Sequence, residues 1–123
     1  MNRTALLAGG TGLVGSHVLQ ELLAAGAWSR VVTVGRRPSS LRHGKLEQRV
    51  LDLGAIEAQG DLPHADDVFC CLGTTIKQAG SPGAFRRVDH DFVVALARAG
   101  LRIGATQFLL ISAIGADPES RVF

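Results

Sequence analysis

Apolar and polar positions along this chain fall into blocks that alternate between two periods. Thr4 to Ala8 (TALLA) is a short apolar run closed by glycines, as expected of a buried parallel strand. From Leu13 to Ala25 the spacing becomes helical: Val14, Val18 and Leu22 form one row, Leu19 and Leu23 widen it, and Gly26 supplies a stop. Arg30 to Gly35 (RVVTVG) is rich in β-branched residues and predicts a second strand. A polar loop from Arg36 to Gly44 leads to a weaker third strand, Leu46 to Leu51, and a short helix is expected around Gly54 to Gln59.

Asp67 to Leu72 (DVFCCL) predicts a fourth strand, followed by a glycine-rich loop from Gly73 to Gly83. Ser81 offers an N-cap and Pro82 a first helical position. Phe85, Val88, Phe92, Leu96 and Ala99 then recur every three or four residues, so a long helix is expected from about Pro82 to Ala99, bent near Asp89. Gln107 to Ser112 (QFLLIS) completes the pattern as a fifth strand, with no covering helix after it. Strands alternating with helices predict an α/β fold with right-handed crossovers. The expected architecture is a doubly wound parallel sheet of the Rossmann type, in the order 3-2-1-4-5.

The 123 residues fit a single domain, residues 1–123. At 46% hydrophobic and 20% charged, the chain is too apolar for disorder. A net charge of +2 without a basic stripe argues against a nucleic-acid module. No stretch approaches the length of a membrane span, and the first residues do not read as a signal peptide. The two cysteines, Cys70 and Cys71, are neighbours on a strand and point to opposite faces. They are poor disulfide partners, read better as packing residues than as reactive thiols, and suit a reducing cytoplasm. No spacing of His, Cys, Asp or Glu suggests a metal. His17 falls on the first helix, His43 and His64 in loops, and His90 on the long helix beside Asp89.

The chemistry concentrates in AGGTGLVGS, residues 8–16. Gly10, Gly12 and Gly15 fit G-x-G-x-x-G, and Gly9, Gly12 and Gly15 fit G-x-x-G-x-x-G equally well. In either register one glycine turns the chain out of the strand. Gly12 lets the backbone approach a pyrophosphate, and Gly15 lets the helix pack on the sheet. The helix N-terminus presents free N–H groups and its positive dipole end to an anion. The expected cradle is Gly9, Gly10, Thr11, Gly12, Leu13, Val14 and Gly15. The alternative is a tight glycine turn with no ligand.

After the second strand, where an NAD site often carries an acid for the ribose 2′-OH, the chain reads Gly35-Arg36-Arg37, with Arg36 about 20 residues beyond Gly15. Guanidinium groups attract a 2′-phosphate, so Arg36 and Arg37 favour NADP over NAD; the plain alternative is two solvated arginines. Asp52, followed by Leu53, has two readings: an acceptor for the adenine amino group, or an N-cap. Leu72, Gly73 and Thr74 end the fourth strand, where ligands of open α/β sheets bind.

GGTGLVGSHVL, the GRR turn, FCCLGTT, FRRVDHDF and LLISAIGAD together resemble the atypical short-chain dehydrogenase/reductases, nearest the Tat-interacting oxidoreductase-like group and its bacterial relatives. The resemblance implies an NADP-binding Rossmann fold and catalysis by a Ser with a Tyr-x-x-x-Lys pair. Ser112 matches the serine, whose role would be to hydrogen-bond a substrate carbonyl. The chain has no tyrosine, and its two lysines, Lys45 and Lys77, lie in no such motif. The pair would fall at or just beyond Phe123, so the C-terminal part of the family fold is expected to be missing. Losing a proton donor of this kind typically slows reaction by ~10²–10⁴-fold.

Three readings follow. The first is the binding portion of an NADP-dependent oxidoreductase acting on a small carbonyl or alcohol. The second is a non-catalytic NADP-binding regulatory or interaction protein, in which an exposed fifth strand would call for a partner or an oligomer. The third is another nucleotide enzyme on the same glycine loop, such as an epimerase or dehydratase. For the chain as written, binding without turnover is expected.

Overall fold

The computed structural model describes residues 3–10, 12–36, 38, 40–51, 62–71 and 92–111, with the side chain of Leu13 outside that set. In chain order the described elements are β1 (Arg3–Ala8), α1 (Leu13–Ala24), β2 (Trp28–Gly35), β3 (Leu46–Val50), β4 (Asp67–Cys70), α2 (Val93–Arg102) and β5 (Gln107–Leu110). The strands form one parallel five-stranded sheet in the order β3-β2-β1-β4-β5, as the sequence pattern predicts. The short helix expected at 54–59 and the start of the long helix lie outside the described residues.

Alternation along the strands separates two cores, one on each face. On one face Ala5, Leu7, Val31 and Phe69 pack with Leu19, Leu22 and Leu23 of α1. On the other, Leu6, Ala8, Val32, Val34, Val68 and Cys70 pack with Leu96 and Ala99 of α2. Each fully buried Leu or Val contributes roughly 1.5–3 kcal/mol relative to exposure. This two-sided burial is why β1 reads as a continuous apolar run.

Element ends depart from the sequence expectation for identifiable reasons. β2 begins at Trp28, because Trp28 pairs with Arg3 of β1 and its ring stands edge-on to Phe69, centroids 5.5 Å apart. α2 runs past Ala99 to Arg102. Gly100 does not stop it: a Cβ there would come within 3.0 Å of Val68 Cγ2, so glycine allows the helix to lie close on β4. The stop is Gly104, at φ +92°, with Gly104 N–H bonding Leu101 C=O and Ala105 N–H bonding Gly100 C=O. This is a Schellman closure.

α1 ends differently. Its C-cap, Ala25, is extended, and the helix has no basic residue in its last turn. Lys45, just before β3, reaches across instead and donates from Nζ to the carbonyls of Leu23 and Ala25, both at 2.9 Å. A cation thus meets the negative end of the helix. Lys45 is therefore structural, whereas Arg36 is exposed.

Candidate functional site

The carboxyl ends of β1 and β2, with the start of α1, assemble the candidate site. Gly9 leaves β1 at φ +88°, a conformation that glycine adopts without a Cβ penalty. The turn closes with Gly12 N–H donating to Gly9 C=O at 3.2 Å. A Cβ on Gly15 would sit 1.8 Å from the Gly9 carbonyl oxygen, so only glycine lets α1 rest on this turn. At Gly10 a Cβ would make ordinary contacts, the nearest being Leu7 Cδ2 at 3.4 Å. Of the two registers open in the sequence, the geometry therefore selects Gly9-x-x-Gly12-x-x-Gly15.

Gly12 is exposed, and among the described residues beyond its chain neighbours a Cβ there would meet only Gly9 O, at 3.6 Å. It is the N-cap of α1, makes no side-chain capping bond, and has no acidic residue in the turn that follows. The first intrahelical bond is Ser16 N–H to Gly12 C=O at 2.8 Å. The amides of Leu13, Val14 and Gly15 therefore have no acceptor within the helix. An exposed glycine, three helix-start amides and a positive dipole end with no acid in its own first turn fit a diphosphate.

At the end of β2, no atom of a described residue other than its chain neighbours lies within 4 Å of where a Cβ on Gly35 would stand, and Arg36 follows it, exposed. Sequence reasoning marked the arginine but not the open space before it; the signal was the glycine itself. Thr11, Arg37, Asp52, Leu53, Leu72, Gly73, Thr74 and Ser112 lie outside the described residues. Gly9, Gly10, Gly12, Val14, Gly15 and Arg36 are brought to the carboxyl end of the sheet, as are the backbone amides of the first turn of α1.

Elsewhere the described chemistry is structural. Cys70 is fully buried, and burial, then its neighbour Cys70, pushes the Cys71 thiol up to about 11. Both cysteines are free, and Cys71 is a thiol and not a thiolate at neutral pH. His17, His43 and His64 are exposed; His64 bonds Asp66 and the Ile103 carbonyl, far along the chain from the glycine turn. Among the described residues no group of His, Cys, Asp or Glu is placed to hold a metal, and no helix is long and apolar enough to cross a membrane.

Comparison with known proteins bears on this arrangement. Residues 9–123 match the family described as NAD(P)H-binding. The chain is 34% identical to Protein HTATIP2 of Rattus norvegicus, over 97% of its own length and 50% of that protein's. It is 37% identical to Protein FMP52, mitochondrial, of Chaetomium globosum, over 90% of this chain and 49% of the relative. The chain thus spans about half the length of these curated relatives. A short chain dehydrogenase family protein from Francisella tularensis superposes with a TM-score of 0.72 at 16% identity, covering 99% of this chain and 57% of that one. A uronate dehydrogenase from Agrobacterium tumefaciens complexed with NAD gives 0.71 at 17% identity, covering 92% and 42%. At these identities the solved structures establish the Rossmann fold alone.

Proposed function

The chain belongs to the NAD(P)H-binding family, and from that membership we propose that it holds NADP(H) in preference to NAD(H). The amides that open α1, with Gly12, would hold the diphosphate, and Arg36 with Arg37 would hold the 2′-phosphate. The observation that carries this reading is the open space at Gly35 followed by an exposed guanidinium, with no acid at the end of β2. A carboxylate there would repel a phosphate; Arg binds it with paired N–H groups. Asp52 and Leu53 are assigned to the adenine end, and Leu72, Gly73 and Thr74 to the ribose beyond β4.

When bound, the nicotinamide would give a hydride as NADPH or accept one as NADP⁺. In the whole protein we infer oxidoreductase chemistry on a small carbonyl or alcohol, with Ser112 bonding the carbonyl oxygen. The chain contains no tyrosine, so a proton donor of the Tyr-x-x-x-Lys type is not among these 123 residues. We assign them to binding and not to turnover. Residence in a reducing compartment such as the cytoplasm is part of the same proposal.

Titration of the purified chain with NADPH and NADH, followed by fluorescence or calorimetry, tests the reading. NADPH should bind about tenfold tighter or better, a difference of ~1.4 kcal/mol. Equal affinities, or a preference for NADH, would overturn it.

A further inference from the structure

β5 begins at a turn that meets the entry of β4. Thr106 N–H donates to the Asp66 carbonyl at 2.9 Å, and Thr106 Oγ1 donates to the same oxygen at 3.4 Å. Asp66 is tied in turn to β1: its N–H donates to the Thr4 carbonyl and its Oδ2 accepts the Thr4 amide, both at 2.8 Å. Among the described strands β5 pairs with β4 alone, so this junction fixes an edge strand at its start.

His64 closes the junction from the solvent side. Its Nδ1 lies 2.8 Å from the carbonyl oxygen of Ile103, the C-cap of α2, and its Nε2 lies 3.2 Å from Asp66 Oδ1. The ring rests on the turn, because a Cβ on Gly104 would come 2.9 Å from Nδ1. Both partners are acceptors. A carbonyl oxygen offers lone pairs, and the Thr4 amide above all holds the Asp66 carboxyl below its ordinary range, so it is a carboxylate at neutral pH. A neutral imidazole has one N–H; it satisfies one side and turns a lone pair toward the other. The imidazolium donates to both. Its charge also meets the negative end of α2, as Lys45 meets that of α1.

We propose that His64 is a proton-operated clasp: charged, it ties the end of α2 and the start of β5 to the entry of β4; neutral, it lets go of one side. The proposal is independent of the NADP reading. Imidazole is the side chain that changes charge between about pH 5 and pH 8. Among the described residues the charged groups about the junction are Asp66, Arg3 of β1, which acts on Asp66 by its charge, Asp67, which is paired to Arg3, and Arg102, which precedes Ile103. Carboxylates and guanidinium groups keep their charge across that span, so the ring is the group that changes. The clasp is closed at the acid end and opens as pH rises.

Native-state hydrogen exchange on the intact chain tests the clasp, with rates corrected for their intrinsic pH dependence. The amides of Ala105 and Thr106 are compared with that of Leu7 in β1, at about pH 5.5 and about pH 8.5. In wild type the protection of the two turn amides relative to Leu7 should fall by about threefold as pH rises, the scale of an exposed ion pair. His64 is exposed, so His64→Gln leaves the core untouched, and its ratio should stay flat. Asp66→Asn separates the proton from the packing. Its Oδ1 can keep the Thr4 amide while Nδ2 donates to the ring, so a neutral His64 satisfies both sides and protection should hold or rise with pH. A wild-type ratio that ignores pH, or one that falls equally in His64→Gln, overturns the proposal. So does a fall in Asp66→Asn as large as in wild type. Should Asp66→Asn fail to fold, wild type against His64→Gln decides.

Discussion

Arg3 and Asp67 are joined by two parallel hydrogen bonds between β1 and β4: Arg3 Nε to Asp67 Oδ2 at 2.9 Å, and Nη2 to Oδ1 at 2.7 Å. Trp28 of β2 donates its indole N–H to the same Oδ2 at 2.8 Å. Asp67 is 1% exposed, on a strand whose four residues are all buried. One carboxylate therefore ties three strands together at the amino ends of the sheet, opposite the candidate site. Replacing Asp67 by Asn keeps the shape and loses the charge and the paired geometry. The expected loss is about 2 kcal/mol of unfolding free energy, read from urea denaturation. Because the pair lies away from the glycine turn, nucleotide affinity of the folded variant should be unchanged.

The same carboxylate sets a dependence on acid. The hydrogen bonds from Arg3, aided by Trp28, hold the Asp67 carboxyl below its ordinary range, against the opposing effect of burial. In the unfolded chain it titrates near ~3.9. The folded state thus binds the proton less readily. The stabilisation is complete above about pH 5 and drains away as pH falls past the unfolded value and through the folded one. Wild type should lose more stability than Asp67→Asn between about pH 5 and pH 3. A residual slope is expected in the variant, because Asp66, held by the Thr4 amide, and Glu47, held by Arg30 and Arg49, are also shifted down. Parallel curves for the two proteins would remove Asp67 as the source.

The strand order was legible because β1, β2 and β4 carry short apolar, β-branched runs bounded by glycine or polar residues and separated by helical spacing, the pattern of parallel strands covered on both faces. Other features depended on contacts distant in sequence. AGGTGLVG admits two glycine registers, and only the positive φ of Gly9 and the crowding of Gly15 against its carbonyl separate them. The long helix expected to end near Ala99 runs on through Gly100, because glycine there lets it lie against Val68 of β4. Lys45 sits in a polar stretch and looks solvated, yet its ammonium closes a helix some 20 residues earlier in the chain.

Two glycines separate a steric requirement from mere presence in a turn. Gly15→Ala would drive a Cβ into the Gly9 carbonyl oxygen at 1.8 Å. The turn must open, costing roughly 1–3 kcal/mol and displacing the amides that open α1. Both stability and dinucleotide affinity should drop. Gly26 has no described residue other than its chain neighbours within 4 Å of a Cβ and is not among the described glycines at positive φ. Gly26→Ala should be neutral or stabilising by up to about 1 kcal/mol. Thermal melts and NADPH titrations of the two variants side by side check the contrast.

Lys45→Met retains most of the aliphatic stem and removes the charge that caps α1. Two carbonyls at the helix end, those of Leu23 and Ala25, lose their donor. A destabilisation of about 1 kcal/mol is expected, shrinking as salt is added. Hydrogen exchange should quicken in the last turn of α1 before it does in β1, since the cap acts locally. An unchanged last turn would mean that water replaces the ammonium without penalty.

Arg36 carries the sharpest functional prediction, because its side chain is exposed and its removal leaves the core untouched. Arg36→Asp replaces an attractive charge by a repulsive one beside the open space at Gly35. NADPH affinity should fall by at least tenfold, or ~1.4 kcal/mol, while NADH affinity holds or rises as the new carboxylate meets a ribose 2′-OH. Arg36→Lys should recover only part of the loss, because an ammonium offers a point charge where the guanidinium offers a planar fork. Wild-type discrimination retained in Arg36→Asp would place the 2′-phosphate elsewhere. Equal losses for both nucleotides would instead mean that Arg36 supports the turn and not the phosphate.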